Sequence, residues 1–359
     1  LVFDIIKIIL NYNNIIDFNL GIMKNSSKPL VHIGYGKSGS TTLQSLFFPC
    51  HPDIDYYGID LSKGLNNHEV RISPSAKIYP TESSRKLTSL LVNLDRFQGI
   101  DNNLKKTVAK DIEKAKKNNK TFVFSNENFS ETPSAYLMAQ VLKEYIPEAD
   151  ILLVLRSQFD LIRSVYTYTS HSVKHVPKPY RHRYVSFNNW FNHCIINENN
   201  RGSHKAWDRD NDYIRMIDFH HLINCLEVFF PKRINIVLYE DLKFNSKLFY
   251  KKISKIMKVD FSKSPEGLFT HKSNVSANQS LIKLAALIKR LPLGKKFLKA
   301  EKIRNSQVYN FARGMIRKHG LKTVMREETK KYINNRFKNG NREIAKKYKL
   351  PLKEYGYPF

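Results

Sequence analysis

Cysteine is scarce in this chain: its 359 residues include three, at Cys50, Cys194 and Cys225. They lie far apart and are odd in number, so they make neither a zinc-ligand spacing nor a disulfide framework. They read as small core residues, and their scarcity fits a reducing compartment. Acidic residues are also few, with 32 Asp+Glu against 60 Lys+Arg and a net charge of +28. Long apolar runs are missing. The most apolar stretch, Leu1–Met23, is interrupted by Asp4, Lys7, several asparagines and Asp17, which argues against a membrane-spanning helix. It has no basic start and no small-residue cleavage site, so it makes a poor signal peptide. A cytoplasmic location is therefore expected. There is no internal repeat. No nucleic-acid-binding signature accompanies the charge, so a nucleic-acid partner is not expected.

The positive charge is concentrated at one end. Leu281–Phe359 holds 22 Lys+Arg against 5 Asp+Glu, a net +17. Such an excess points to an anionic partner or an anionic surface, with solvated lysine faces accounting for part of it. The stretch LIKLAALIKR at Leu281–Arg290 is short, basic and amphipathic, which suits peripheral contact with a membrane. The chain begins with Leu, and Met23 precedes a lysine and a polar turn. Met23 is the expected natural start, and residues 1–22 an upstream or disordered extension. Residues 23–359 are expected to form the working domain, with a core at about 28–260 and a basic, helical, peripheral part at about 281–359.

The organising stretch is Lys28–Phe48, KPLVHIGYGKSGSTTLQSLFF. Leu30, Val31 and Ile33 form a short apolar run that reads as a buried parallel strand. Gly34, Gly36 and Gly39 permit a tight turn and a close approach of backbone to ligand. From about Ser40 the pattern reads as a helix with Leu43, Leu46 and Phe47 on one face. Strand, glycine loop and hydroxyl-rich helix start direct free N–H groups and a positive helix end at one place, which suits a phosphate. The loop is not a Walker A sequence. That motif requires Lys directly after its second glycine, whereas Ser40 follows Gly39 and the lysine is Lys37.

The rest of the chain alternates strands and helices. Strands are expected at Ile54–Gly58, Thr121–Phe124, Ile151–Arg156 and in Ile234–Asp241. Helices are expected at Leu87–Lys117, Pro133–Tyr145, about Phe159–Thr169, Ile214–Phe229 and Phe244–Met257. Tyr166–Cys194 reads as a long irregular functional loop, and His271–Ser280 as a polar loop. This pattern predicts an α/β fold with a central parallel sheet and flanking helices. Ligands of such sheets sit at the carboxyl ends of the strands, which singles out Lys37–Thr42, Ser125–Asn128, Arg156–Asp160 and Glu240–Asp241. Arg156 closes an apolar strand and offers a planar fork for a second phosphate, unless it pairs with Asp160. Ser164, two helical turns on, adds a hydroxyl.

These two segments together, GYGKSGSTTLQ and LRSQFDLIRSVYTY, resemble the cofactor motifs of sulfotransferases that use 3′-phosphoadenosine 5′-phosphosulfate (PAPS). Lys37, Ser38, Gly39, Ser40 and Thr41 match the family's loop after the first strand, with Ser for its first Thr. Arg156, Asp160, Ser164 and Tyr166 match the second motif, while Ser157 and Gln158 replace its Asn-Pro. VLYEDL and the ending NREIAKKYKLPLKEYGYP also resemble related bacterial sulfotransferases, so the likeness runs from about Pro29 to the C-terminus.

The resemblance implies a P-loop-like sulfotransferase fold and PAPS as co-substrate, with no metal required. Lys37, Ser38, Gly39, Ser40, Thr41 and Thr42 would hold the 5′ end. Arg156 and Ser164 would hold the 3′-phosphate. Lys272, Ser273 and Asn274 would close over the nucleotide. Lys37 suits the bridging oxygen on which charge develops. Glu127 is the first candidate for the base that deprotonates the acceptor, with His171 and His175 as rivals. Tyr166, Tyr168, Tyr180, Tyr184, Phe187, Trp190 and Phe191 offer stacking surfaces for a sugar, or a helix core. The expected acceptor is a hydroxyl or amine, on an anionic glycan, a lipid or a lipid-linked carbohydrate. The alternative is a P-loop kinase, kept open by Glu240 and Asp241, which sit where a strand-end acid can hold Mg²⁺. Asp241 can equally cap the next helix. A non-enzymatic basic binding protein ranks last.

Overall fold

Among the described residues five runs form strands: β1 Leu30–Gly34, β2 Ile54–Tyr56, β3 Thr121–Ser125, β4 Asp150–Leu155 and β5 Ile234–Leu238. The structure is a computed structural model that describes residues 28–59, 79–94, 97, 99–130, 134–172, 184–199, 213–269, 279–290, 314–316, 321 and 323–359. All four pairings are parallel, in the order β2-β3-β1-β4-β5. β1 and β3 are buried at every residue, as a parallel sheet covered on both faces requires. The expected α/β architecture is the one observed.

Successive side chains leave a strand on opposite faces, and the sheet divides its core accordingly. Leu152 and Val154 face a layer made by helices α1 and α10, through Leu43, Phe47, Phe249 and Ile253. Here α1 runs through Ser40–Thr42, Leu43–Phe47 and Phe48–Cys50, and its middle part is a π-helical turn. The helix α10 is Ser246–Met257. Ile151, Leu153 and Leu155 face the larger layer, which includes Leu87, Val108, Met138, Leu142, Trp190, Phe219 and Phe337. Its helices are α2 Glu82–Val92, α3 Asn102–Lys117, α4 Ala135–Tyr145, α5 Gln158–Ser172, α6 Phe187–Asn199, the short α7 Tyr213–Met216, α8 Phe219–Phe229 and α12 Glu327–Tyr348. Ile282 of α11 Gln279–Arg290 joins this layer, and α9 Tyr239–Phe244 follows β5.

Several expected boundaries move, each for a local reason. The predicted Leu87–Lys117 helix is two helices. The Asp101 side chain accepts from the N–H groups of Asn103 and Leu104 and starts α3. The predicted Ile214–Phe229 helix is likewise divided, because Asp218 caps α8 through the N–H of His221. Asn245, not Asp241, caps α10, accepting from Leu248 N–H. Both ends of the expected irregular segment Tyr166–Cys194 are helical, since α5 runs to Ser172 and α6 starts at Phe187, and residues 173–183 lie outside the described residues.

The C-terminal part is not peripheral. Ile333, Phe337 and Ile344 of α12, with Leu352 and Tyr357 beyond it, enter the same core as β1 and β4. α12 lies so close to α8 that a Cβ on Gly340 would stand 2.7 Å from Cβ of His220. The charge sits on the outer face, where Lys330 pairs with Glu327. Among the described residues no helix is long and apolar enough to cross a membrane.

Candidate active site

The site lies where β1, β3 and β4 end side by side. After β1 the chain turns at once: Ser38 N–H donates to Tyr35 C=O at 3.1 Å. Lys37, third in this turn, adopts φ 74°, a left-handed conformation that costs a non-glycine residue about 1–2 kcal/mol. Gly39 follows with φ 85° and is the N-cap of α1, with no side chain capping it. The first amides of a helix have no intrahelical acceptor, so the start of α1 offers its positive end. Ser40 is buried and donates its hydroxyl to Tyr35 C=O at 3.2 Å, bracing the loop from below. Thr42 is buried and Thr41 half-buried.

Arg156 follows β4 and reaches across to this loop. Its NH1 donates to the carbonyl oxygen of Lys37 at 2.6 Å. Its guanidinium lies over the Tyr239 ring, 4.6 Å from the centroid. The two segments that sequence reasoning joined, 119 residues apart, therefore meet. Asp160 does not take Arg156; it pairs with Arg163 at 3.5 Å. Ser164 is buried on α5. Ser38 Oγ, Ser164 Oγ and Arg156 Nε are buried and have no hydrogen-bond partner among the described residues. A hydroxyl in the loop, an N–H of the guanidinium that meets it and a hydroxyl on the helix following Arg156, left in this state, fit the donor set that an anion with two charged ends requires.

Glu127 stands in the short 3-10 turn Glu127–Phe129 directly after β3. Ser130 Oγ ties this turn to the end of β1, donating towards Gly34 C=O at 3.2 Å and Glu127 C=O at 2.9 Å. Burial holds the Lys37 ammonium below its ordinary pKa; the charge of Glu127 acts in the opposite direction, and Arg156 adds to the lowering. Lys37 thus senses both groups. Among the described residues no cluster of three or more His, Cys, Asp and Glu side chains could hold a metal ion.

Some expected residues fall outside this account. Lys272, Ser273, Asn274, His175 and Tyr180 lie outside the described residues, as does the Leu1–Met23 stretch. His171 lies in the last turn of α5, and its side chain and that of Tyr168 are not among those described. Tyr166, Phe187, Trp190 and Phe191 are buried and pack on one another as core. Tyr184 is half-buried and lies beneath Lys283.

Two buried networks were not read from the sequence. Below the loop, His32 Nδ1 and Ser125 Oγ are 2.7 Å apart, and Gln44 Nε2 donates to the same hydroxyl at 3.1 Å. A His in the middle of an apolar strand was the available signal. Behind Arg156, Glu240 Oε1 accepts from Ser157 N–H at 3.0 Å and Oε2 from Tyr357 O–H at 2.9 Å. Burial raises the Glu240 pKa, and these donors oppose the rise. Asp241 accepts from Tyr355 O–H at 2.7 Å and from Lys252 at 2.6 Å. Both acids are buried, and through Tyr357 and Tyr355 they tie the C-terminus to α9.

Residues 28–347 match a family model described as "Sulfotransferase domain". No curated protein sequence matches the chain. Similar solved structures include a sulfotransferase from Alicyclobacillus acidocaldarius, at 14% identity and TM-score 0.42, covering 79% of this chain and 98% of that one. A mouse sulfotransferase complexed with PAP is 12% identical with TM-score 0.36, covering 80% and 88%. A sulfotransferase from Mycobacterium avium is 9% identical with TM-score 0.38, covering 81% of each chain. These structural likenesses are too remote to bear on the site.

Proposed function

The chain belongs to the sulfotransferase domain family, and from that premise we propose that it moves a sulfuryl group from PAPS to a hydroxyl or amine of an acceptor. The observation that carries this reading is the convergence of Lys37, Arg156 and Glu127 at the carboxyl ends of three neighbouring strands, with Arg156 on the Lys37 carbonyl. PAPS presents a 5′-phosphosulfate and a 3′-phosphate. The amides at the start of α1, with Lys37, Ser38, Gly39, Ser40, Thr41 and Thr42, would receive the first. Arg156 and Ser164 would receive the second, and Lys272, Ser273 and Asn274 would cover the nucleotide. PAPS supplies the activated sulfuryl group.

The chain's own residues supply position and charge. Lys37 is desolvated, so its ammonium acts strongly on a leaving phosphate oxygen. Glu127, fixed at the end of β3, would take the acceptor proton; His171 and His175 remain its rivals. No metal is assigned a role. Glu240 and Asp241, the residues that favoured a kinase, hold Ser157, Tyr357, Tyr355 and Lys252 instead. The +17 of the last 79 residues supports an anionic acceptor, a glycan or a lipid-linked carbohydrate, with peripheral contact at a membrane surface; a cytoplasmic location belongs to the same proposal. Residues 23–359 would form the sulfotransferase domain.

Incubation with labelled PAPS and a panel of glycans, lipids and phenols tests the proposal. Label should pass to a carbohydrate. Lys37→Ala should abolish transfer, and Glu127→Gln should lower kcat by about two to three orders of magnitude. Phosphate transfer from Mg-ATP, with PAPS inert, would replace this reading with the kinase.

A further inference from the structure

Arg156 is held from behind by the end of the chain. The residue after it, Ser157, is fixed twice: its N–H donates to Glu240 Oε1 at 3.0 Å, and its hydroxyl donates to Gly356 C=O at 2.9 Å. Glu240 passes the constraint on, because its other oxygen accepts from Tyr357 O–H at 2.9 Å. The next residue repeats the pattern. Gln158 Nε2 donates to Asn341 Oδ1 at 2.9 Å, and Asn341 Nδ2 donates to Gln158 Oε1 at 3.2 Å and to Pro358 C=O at 2.9 Å. Phe359 N–H then donates to Asn334 Oδ1 at 2.9 Å.

Ser157, Gln158, Glu240, Asn341 and Tyr357 are all buried. Buried polar networks of this kind, with their members satisfied, fix one geometry. The turn between β4 and α5 carries both Arg156 and the start of the helix that bears Ser164. From the front Arg156 is held by the Lys37 carbonyl and the Tyr239 ring; from behind, the turn rests on this network. We propose that the C-terminal segment Tyr355–Phe359 is a clamp that sets the aim of Arg156, with Tyr357 and Ser157 as positioning residues for the 3′-phosphate of the nucleotide. This rests on the PAPS reading above. The clamp acts through Arg156, whose tie to the 5′ loop is a single bond to the Lys37 backbone carbonyl, so its loss should fall mainly on the 3′-phosphate, unlike a general loosening of the fold.

The test is calorimetric titration of the full chain with adenosine 3′,5′-bisphosphate and with adenosine 5′-monophosphate, which lacks the 3′-phosphate. Tyr357→Phe removes one hydroxyl from a buried carboxylate. It should weaken the bisphosphate about tenfold, the loss expected when a misaimed Arg156 forfeits one charge-assisted hydrogen bond to the 3′-phosphate, and leave the monophosphate within about twofold. In an Arg156→Ala background the same change should have no further effect, since both act through one group. Ser157→Ala, a smaller perturbation, should give a weaker loss of the same selectivity and serves if Tyr357→Phe does not fold. Equal losses for both nucleotides, or unchanged bisphosphate binding in both variants, overturn the clamp. If the wild-type chain binds no bisphosphate at all, the PAPS reading itself falls.

Discussion

His32 allows a quantitative prediction about acid stability. It sits in β1 directly below the loop, wholly buried, and burial lowers its imidazole pKa from 6.5 to about 3. Its folded-state value therefore lies below its unfolded one. Between the two values the unfolded chain takes up a proton that the folded chain refuses. Stability from this group is present above the unfolded pKa and is lost as pH falls towards the folded one. Integrating that linkage from about pH 7 to about pH 5 gives a loss of about 2 kcal/mol. Other groups titrate over the same range, so the informative quantity is the difference from a variant that cannot titrate. His32→Asn retains a polar atom towards Ser125 Oγ, which His32 Nδ1 now meets at 2.7 Å. It gives up the edge-on ring contact with Phe48, and should be destabilised at neutral pH by about 1–3 kcal/mol. Urea unfolding of both proteins at the two pH values separates the effects. The wild type should lose about 2 kcal/mol more than the variant on acidification. Equal losses would show that His32 is not held neutral by its burial, and would refute the reasoning.

The loop makes a second prediction. Because Lys37 has φ 74°, Lys37→Gly should be more stable than Lys37→Ala by about 1 kcal/mol. Both should lose transfer, and thermal melts with activity assays check the pair. At Gly340 the usual rule reverses. Gly→Ala inside a helix ordinarily gains about 0.5–1 kcal/mol, but here the new Cβ would meet His220 Cβ at 2.7 Å. Gly340→Ala should instead lose about 1–3 kcal/mol through separation of α12 from α8, read as a lower Tm.

The parts of the fold legible in the sequence are those whose signal is local. Parallel strands buried on both faces appear as plain apolar runs, so Leu30–Gly34 and Asp150–Leu155 were read nearly to the residue. The loop from Gly34 to Gly39 announced its shape through its glycines and hydroxyls, although the positive φ falls on Lys37 and Gly39 rather than on Gly36. The C-terminus is not legible as core because α12 hides Ile333, Phe337 and Ile344 among lysines and asparagines. Composition described its outer face and not its seam. Asp101 and Asp218 look in the sequence like charges within helices, yet each caps the start of a new one. The pairing of Glu240 with Tyr357 spans 117 residues, and no local pattern marks it.

The central claim is that Lys37 and Arg156 together form a site for a nucleotide phosphorylated at both its 3′ and 5′ positions. It is tested most directly by titrating wild type and Arg156→Ala with adenosine 3′,5′-bisphosphate in the presence of a metal chelator. The wild type should bind, and Arg156→Ala should bind about a hundredfold more weakly, as expected when one partner of a buried charge contact is truncated. Equal affinity in the two proteins would contradict the account.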